Sequence, residues 1–268
     1  MNLDAYLRRI GYDGPLQPSV DVLDALTYRH ATSIAFENLD PFAGEPVELA
    51  PDALERKLVD AGRGGYCFEH NLLLAQALRA VGFDVSGLAA RVLWTQPDDA
   101  ITARSHMLLR VEMDQGTRLV DVGFGGSTLT TSLALRDGDE QATPHEPYRL
   151  LQRDGDWWMQ VRLPDRWATL YRFDLQRQHP VDYEASNYYL STHPTSHFVT
   201  GLRVARPVDG GRHALRDREL SFHRLGGVSE RRTLQDLDEL REILEGTFGI
   251  RVPGSPRLQA RLAGLFSA

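Results

Sequence analysis

The sequence predicts an α+β protein with a helical N-terminal part, a sheet or barrel in the middle and a mixed C-terminal part. Three observations carry that reading. Apolar residues recur at helical spacing up to residue 82, the period changes to two from about residue 83, and helical spacing returns near the end.

Ser19 is placed to cap a first helix carrying Val22, Leu23 and Leu26, with Asp21 in its first turn. Pro51 suits the first turn of another, carrying Leu54 and Leu58, and Gly62 follows its end. Leu74, Leu78 and Val81 form a third stripe that Gly82 stops. Beyond it, Met107, Leu109, Val111 and Met113 alternate with His106, Leu108, Arg110 and Glu112, and Val120 and Val122 alternate with Leu119 and Asp121. Trp157–Val161 and Trp167–Phe173 read as a hairpin turning at Pro164-Asp165, so residues 83–175 are mostly strand. A helix around 181–191 follows, which His193-Pro194 ends, then short strands between 198 and 232. Leu237, Leu240, Leu244 and Phe248 share one helical face, and Leu258, Leu262 and Leu265 share another after Ser255-Pro256.

A chain of 268 residues suits two domains, or one with subdomains. With 42% apolar and 25% charged residues it can bury a sizeable core. A net charge of −7 argues against a general nucleic-acid binder, though local donors can still hold a polyanion. The first residues lack a continuous apolar stretch and no long apolar run occurs, so neither a secretory leader nor a membrane span is expected, and the expected location is the cytoplasm. The histidines and the one cysteine show no zinc spacing, so no metal is expected.

With a single cysteine there is no intrachain disulfide, and Cys67 is either a buried inert thiol or a reactive one. It stands in Arg63-Gly-Gly-Tyr-Cys-Phe-Glu-His-Asn71, where two glycines turn the chain straight into the helix of Leu74 and Leu78. A cysteine at that helix start would meet free backbone N–H groups and the positive end of the dipole, which favour thiolate and can hold an oxyanion. His70 follows within one turn, but helix phase points it away from the thiol and gives it a structural role. Glu37 and Arg63 are candidates for an ion pair that fixes the loop before Cys67, or for two solvated charges. Trp157 and Trp158 read as core and wall residues.

A nucleophilic thiol needs a base and a group that orients it. His106 lies off the Met107, Leu109 and Val111 stripe, and Asp121 lies off the Val120 and Val122 stripe. They face each other if the hairpin turns between Met113 and Asp114, which sets Met107 against Val120. Centring the turn on Gln115-Gly116, the better local signal, sets Asp121 against Arg110 instead. Both registers keep the stripes, so patterning leaves the choice open, and Asp121 could equally be a strand-end residue binding nearby N–H groups. Gly123-Phe-Gly-Gly-Ser-Thr128 is either an ordinary turn or a loop that lets backbone approach a phosphate.

These segments together resemble the arylamine N-acetyltransferases, especially bacterial, actinobacterial-like members. The likeness spans nearly the whole chain. It rests on Phe36-Glu-Asn-Leu-Asp40, Arg63–Asn71, Ala90-Arg-Val92, His106, Leu119-Val-Asp-Val-Gly-Phe-Gly-Gly126, His145-Glu-Pro-Tyr148, and Ser191-Thr-His-Pro194 with Ser196 and Phe198. The Arg63–Asn71 and Leu119–Gly126 segments together are highly specific. The resemblance implies a cysteine-protease-like arrangement. A helical bundle over 1–82 would carry the nucleophile, a β-barrel over 83–195 the His and Asp, and an α/β lid would span 196–268. It implies a Cys67–His106–Asp121 triad that takes acetyl from acetyl-CoA and favours the facing register above. The acceptors implied are arylamines, arylhydrazines or N-hydroxyarylamines. Acetyl-CoA is a co-substrate in this scheme, with no metal, no tightly bound prosthetic group and no nucleic-acid or membrane partner.

Phe36, Val92, Phe124 and Phe198 match positions that line the family's acceptor and acetyl pocket. Trp94, Gly125, Gly126, Ser127, Thr128 and His223 fall where the family places the donor. Ala35 departs from the usual proline, which would loosen the loop holding Phe36. A papain-like or transglutaminase-like hydrolase would use the same triad order, and a non-catalytic binding module is the third reading, disfavoured because all three triad residues are present.

Overall fold

The structure, a computed structural model, describes residues 1–267. Helices α1 (Leu3–Ile10) and α2 (Val20–Ser33) open the chain. Ser19 caps α2 by accepting from the Val22 N–H, as the sequence suggests. Strand β1 (Phe36–Glu37), helix α3 (Leu39–Ala43) and helix α4 (Pro51–Leu54) follow. Pro51 does start α4, but its continuation over Glu55–Asp60 is a π-type turn rather than α-helix. Helix α5 (Cys67–Val81) begins at the cysteine itself and ends at Gly82, whose φ of 110° only glycine adopts readily.

The central part is an eight-stranded antiparallel sheet in the order β5-β4-β3-β2-β9-β8-β7-β6. Its strands are β2 (Asp84–Val92), β3 (Arg104–Glu112), β4 (Arg118–Val120), β5 (Leu133–Ala134), β6 (Glu140–Gln141), β7 (Tyr148–Arg153), β8 (Asp156–Arg162) and β9 (Trp167–Phe173). The two edge strands meet through a side chain. Gln141 donates from Nε2 to the Ala134 carbonyl at 2.9 Å and accepts the Ala134 N–H on Oε1 at 2.8 Å, which clasps the sheet into a barrel-like wall. Leu88, Leu108, Leu119, Tyr148, Met159 and Phe173 fill the interior.

Strand β3 explains how two cores share one wall. Met107, Leu109 and Val111 pack outward on the bundle core with Leu73 and Leu78 of α5, whereas Leu108 packs inward with Leu88 and Leu119. Both faces are therefore dry, and His106, on the Leu108 face, is carried to the barrel side. Trp157 joins the barrel core, and Trp158 is also buried.

After β9 the chain forms helix α6 (Glu184–Thr192), ended by His193, and helix α7 (His197–Thr200), capped by Ser196. The second sheet has the order β1-β10-β11-β12-β13, with β10 (Arg203–Val208), β11 (Gly211–Arg216), β12 (Glu219–Arg224) and β13 (Glu230–Thr233). Helix α8 (Leu237–Glu242), its π-type continuation over Ile243–Thr247 ending at Phe248, and helix α9 (Pro256–Gly264) back it through Leu240, Leu244, Phe248, Leu258 and Leu262, which meet Leu202, Val204 and Leu215 in a third core. Among the described residues no helix is long and apolar enough to cross a membrane.

Candidate active site

Cys67 is the first residue of α5, and the local sequence fixes its approach. Tyr66 precedes it as the cap, with its N–H donated to Glu69 Oε2 at 2.9 Å. Glu69 Oε1 receives Lys57 Nζ at 2.6 Å, and Lys57 also reaches Asp40 Oδ2 at 2.6 Å. Asp40 Oδ1 and Glu37 Oε1 each accept from Arg63 Nη2 at 2.8 Å. The expected Glu37–Arg63 pair is thus real and buried, at 1% and 8% exposure, which excludes the solvated reading. It belongs to a five-charge network that closes on the cap of the cysteine helix. Burial raises the Glu69 carboxyl, and even with Lys57 opposing this it is pushed up to about 7.

His70 is structural, as its phase implies. Its Nε2–H donates to the Ala35 carbonyl at 3.1 Å, its Nδ1 accepts from His30 Nε2–H at 2.9 Å, and His30 Nδ1 accepts from the Tyr6 hydroxyl at 2.9 Å. Those roles require both rings neutral, in keeping with burial, which lowers both. Ala35 is therefore held by its carbonyl. Phe36 pairs with Ala205, and the Glu37 N–H donates to the Gly65 carbonyl at 2.8 Å. The loop that a missing proline was expected to loosen is tied on both sides.

His106 and Asp121 meet, but by neither of the two registers weighed from the sequence. Leu109 pairs with Val120, Arg110 with Leu119 and Val111 with Arg118, so the hairpin is shifted from both. Asp114 and Gln115 form the turn centre, closed by Gly116 N–H to the Met113 carbonyl at 2.9 Å, and Gly116 follows at φ 108°. The glycine was a true signal, placed one position later than expected. Asp121 lies just past β4, diagonal to His106 on the same face, a spacing that long side chains bridge. His106 Nε2 donates to Asp121 Oδ2 at 2.7 Å.

The Asp121 carboxylate is fully satisfied. Oδ2 also accepts from the Tyr171 hydroxyl at 2.9 Å, and Oδ1 accepts from Asn71 Nδ2 at 3.1 Å and the Gly123 N–H at 3.0 Å. Burial works against the charge, but His106, Asn71 and Gly123 outweigh it and hold the carboxyl below its ordinary range. Burial likewise disfavours imidazolium, and Asp121 overrides this, pushing His106 up to about 10. With Nε2 on the carboxylate, Nδ1 is the nitrogen left for the thiol. Cys67 lies close enough to add to the upward shift of His106, and its Sγ is 3.8 Å from the Ser105 carbonyl.

Sequence reasoning assigned no role to Asn71 or Tyr171 and placed Gly123 only within a glycine-rich loop. Asn71 stands at i+4 from Cys67, on the same helix face, which was a usable signal. Its Nδ2 also donates to the Met107 carbonyl at 2.8 Å, so it ties α5, β3 and Asp121 together. Gly123 is demanded by packing, because a Cβ there would lie 2.6 Å from the Cys67 Cα.

A cleft of about 1510 Å³ opens over the thiol. Phe36, Val92, Phe124 and Phe198 line it together with Cys67 and His106. Phe36 and Phe198 have ring centroids 5.9 Å apart, and Phe124 meets His106 edge-on at 5.1 Å. Trp94, Gly125, Gly126, Ser127 and His223 also line it. Thr128, the remaining residue assigned to the donor, is not on the cleft wall. It is buried, donating its hydroxyl to the Asp121 carbonyl at 2.9 Å and accepting the Phe124 N–H at 3.3 Å, so it shapes the loop from behind.

Comparison with known proteins agrees with this architecture. A family model described as N-acetyltransferase matches residues 19–257. An arylamine N-acetyltransferase of Mycolicibacterium smegmatis is 44% identical over 254 residues, covering 93% of this chain and 92% of the relative. The solved structure of Mycobacterium marinum arylamine N-acetyltransferase superposes with a TM-score of 0.95 at 44% identity, covering 99% of this chain and all of that one. A second structure of the M. marinum enzyme, in complex with CoA, gives a TM-score of 0.94 at 44% identity over 98% and 99% of the two chains. The chain belongs to the arylamine N-acetyltransferase family.

Proposed function

We propose that the chain is an acetyl-CoA-dependent N-acetyltransferase. It moves acetyl through a Cys67 thioester to arylamines, arylhydrazines or N-hydroxyarylamines. The observation that carries this is the His106–Asp121 hydrogen bond of 2.7 Å, which directs the free imidazole nitrogen toward the lone thiol at a helix start. The Cys67 thiolate attacks the carbonyl of acetyl-CoA, and the oxyanion faces the backbone N–H groups of the first turn of α5. As the tetrahedral adduct collapses, the carbon–sulfur bond to CoA breaks and His106 gives its proton to the leaving sulfur. An amine then attacks the acetyl-Cys67 thioester and passes its proton to His106. Collapse releases the amide and restores thiolate and imidazolium. The two half-reactions share one nucleophile, so CoA leaves before the amine reacts, in a ping-pong cycle.

The size of the cleft supports two bound groups, since small-ligand sites usually hold ~300–1,000 Å³. Phe36, Val92, Phe124 and Phe198 supply flat apolar walls for an aromatic acceptor. Trp94, the Gly125–Ser127 turn and His223 take the donor in this reading. Incubation with acetyl-CoA alone should add one acetyl group to the protein, as read by intact mass, and aniline or an aryl hydrazide should remove it. A hydrolase would instead release acetate without accumulating the adduct, and no adduct with either reagent would sink the proposal.

The donor turn can be tested separately. Gly126 has no heavy atom within 4 Å of a would-be Cβ, and its φ is not positive, so valine fits the fold and projects into open space. Gly126→Val should raise the KM for acetyl-CoA by about tenfold or more, while alkylation of Cys67 by iodoacetamide changes less than about twofold. Normal donor use by the variant, or loss of both reactivities together, would remove the turn from the donor site.

A further inference from the structure

Three side chains of the His145-Glu-Pro-Tyr148 segment converge on the junction between the barrel and the second sheet. His145 is buried there. Its Nε2–H donates to the Val208 carbonyl at 3.0 Å, which leaves Nδ1 to accept from the Thr130 hydroxyl at 3.1 Å. Glu146 Oε2 accepts from Arg212 Nε at 2.7 Å. Among the described residues this is the one ion pair that joins the barrel part, 83–195, to the strands of the second sheet.

Arg212 lies on the cleft wall yet is only 2% exposed. Each of its three nitrogens has a protein acceptor. Besides the Glu146 bond, Nη1 donates to the Thr128 carbonyl at 2.9 Å and Nη2 to the Tyr148 hydroxyl oxygen at 3.4 Å. The Tyr148 hydroxyl in turn donates to the Ser127 carbonyl at 2.8 Å. Two successive carbonyls at the end of the Gly125–Ser127 turn are therefore held by a guanidinium and by a phenol that the guanidinium touches. The turn has little support of its own. It is three residues long, Gly125 takes φ 71°, and a Cβ on Gly126 would meet open space. Across β11 and β12, Arg212 stands directly opposite His223, which lines the same cleft. One residue thus ties together two parts of the donor wall that come from different sheets.

We propose that Arg212 is a positioning residue for the donor: its guanidinium fork holds the Gly125–Ser127 turn at a fixed spacing from His223, without itself binding the donor. This rests on the transferase reading above and on the turn's place in it. One cation has to face a carboxylate and a carbonyl in different directions, which a planar guanidinium does and a flexible ammonium does not. Glu146 already neutralises the charge, so the residue adds little direct attraction for a phosphate. Losing it changes the shape of the wall instead. The triad is insulated from that change, because the four donors on the Asp121 carboxylate do not include Arg212. The effect should fall on donor binding and spare the thiol.

The test compares two acetyl donors. 4-Nitrophenyl acetate is a small activated ester that acetylates Cys67 without occupying a coenzyme site. Arg212→Met keeps the length of the side chain and loses its donors. In it the KM for acetyl-CoA should rise about tenfold or more, while the rate of Cys67 acetylation by 4-nitrophenyl acetate stays within about twofold of wild type. Arg212→Lys keeps the charge but not the fork, and should show most of that rise. Hydrogen–deuterium exchange reads the turn without turnover. The amides of residues 124–129 should exchange about tenfold faster in Arg212→Met, and those of α5 at the wild-type rate. An unchanged KM for acetyl-CoA overturns the proposal. So does a parallel loss with both donors, which would make Arg212 a support for the whole site. A wild-type KM in Arg212→Lys also overturns it, by making charge rather than the fork the working feature. Should Arg212→Met not fold, Tyr148→Phe decides, since it removes the Ser127 bond and leaves Arg212 on Thr128. Its KM for acetyl-CoA should rise about threefold with 4-nitrophenyl acetate unaffected, and an unchanged KM overturns the proposal. If wild type takes no acetyl from acetyl-CoA, the transferase reading fails. Exchange then still decides whether Arg212 holds the turn, and an unchanged rate at residues 124–129 overturns that.

Discussion

Cys67→Ser should lower acetyl transfer to below ~1% of wild type while leaving the fold in place. The substitution changes one atom of similar size at a position packed by backbone, with Gly123 against its Cα, so no cavity or clash follows. The chemistry changes completely. A serine hydroxyl is far harder to ionise than a thiol, and an imidazolium beside it cannot supply the difference at neutral pH. An oxygen ester on the enzyme would also be a poorer acyl donor to a weakly basic amine than a thioester. The variant should melt within about 2 °C of wild type, show no acetyl adduct by mass, and give no product with any amine. A well-folded variant retaining more than a few per cent of turnover would remove Cys67 from the mechanism.

How much of this was legible in the sequence differs from feature to feature, for physical reasons. The start of the cysteine helix was legible because local chemistry sets it. Gly64 and Gly65 allow close approach to the Ala35 carbonyl and the Glu69 side chain, and Gly82 ends the helix at positive φ. The β3–β4 register was not legible. Its side-chain period is two, so every even shift keeps the same stripes, and here both faces of β3 are buried, which removes the polar contrast that usually selects one register. What selects it is Gly116 following the turn and the donors that converge on Asp121. Those donors come from four places in the chain, and Tyr171 lies 50 residues from Asp121 in a strand that reads as plain barrel wall. Only its hydroxyl, which needs a partner once buried, hinted at more. The charge network was half legible. Glu37 and Arg63 flank recognisable segments, but Lys57 and Glu69 sit on separate elements and meet only through the fold.

Asp121→Asn tests the electrostatic core of the site and should cost about 10³–10⁴-fold in kcat. The four groups around the carboxylate all donate: His106 Nε2, Tyr171 Oη, Asn71 Nδ2 and the Gly123 N–H. A carboxylate accepts all four, whereas an amide has one accepting oxygen and must point its NH₂ at donors. Placed toward His106, the NH₂ forces the imidazole to accept on Nε2 and to carry its proton on Nδ1, the wrong tautomer for taking a proton from the thiol or the amine. Placed toward Asn71 and Gly123, it opposes two donors in a buried spot. The sign of the pH effect follows from the same balance. In wild type His106 stays charged as pH rises toward about 10, and Asp121, held below the ordinary carboxylate range, stays charged as pH falls through neutrality. The imidazolium is therefore present beside Cys67 across the neutral range and is lost only as pH rises through about 10. Iodoacetamide should alkylate the wild-type thiol at a rate that changes little between about pH 6 and 8. In the Asn variant only Cys67 still opposes burial at His106, so the ring loses its charge at a lower pH than in wild type, and alkylation should be slower at pH 7 and climb toward the free-thiol range near ~8.5. Tyr171→Phe removes a single donor and should cost much less, under about tenfold, with the flat profile kept. If Asp121→Asn turns over like wild type, or its alkylation profile stays flat, the buried carboxylate orients nothing. Its four hydrogen bonds would then serve only to hold the Val122–Thr128 loop against the cysteine helix.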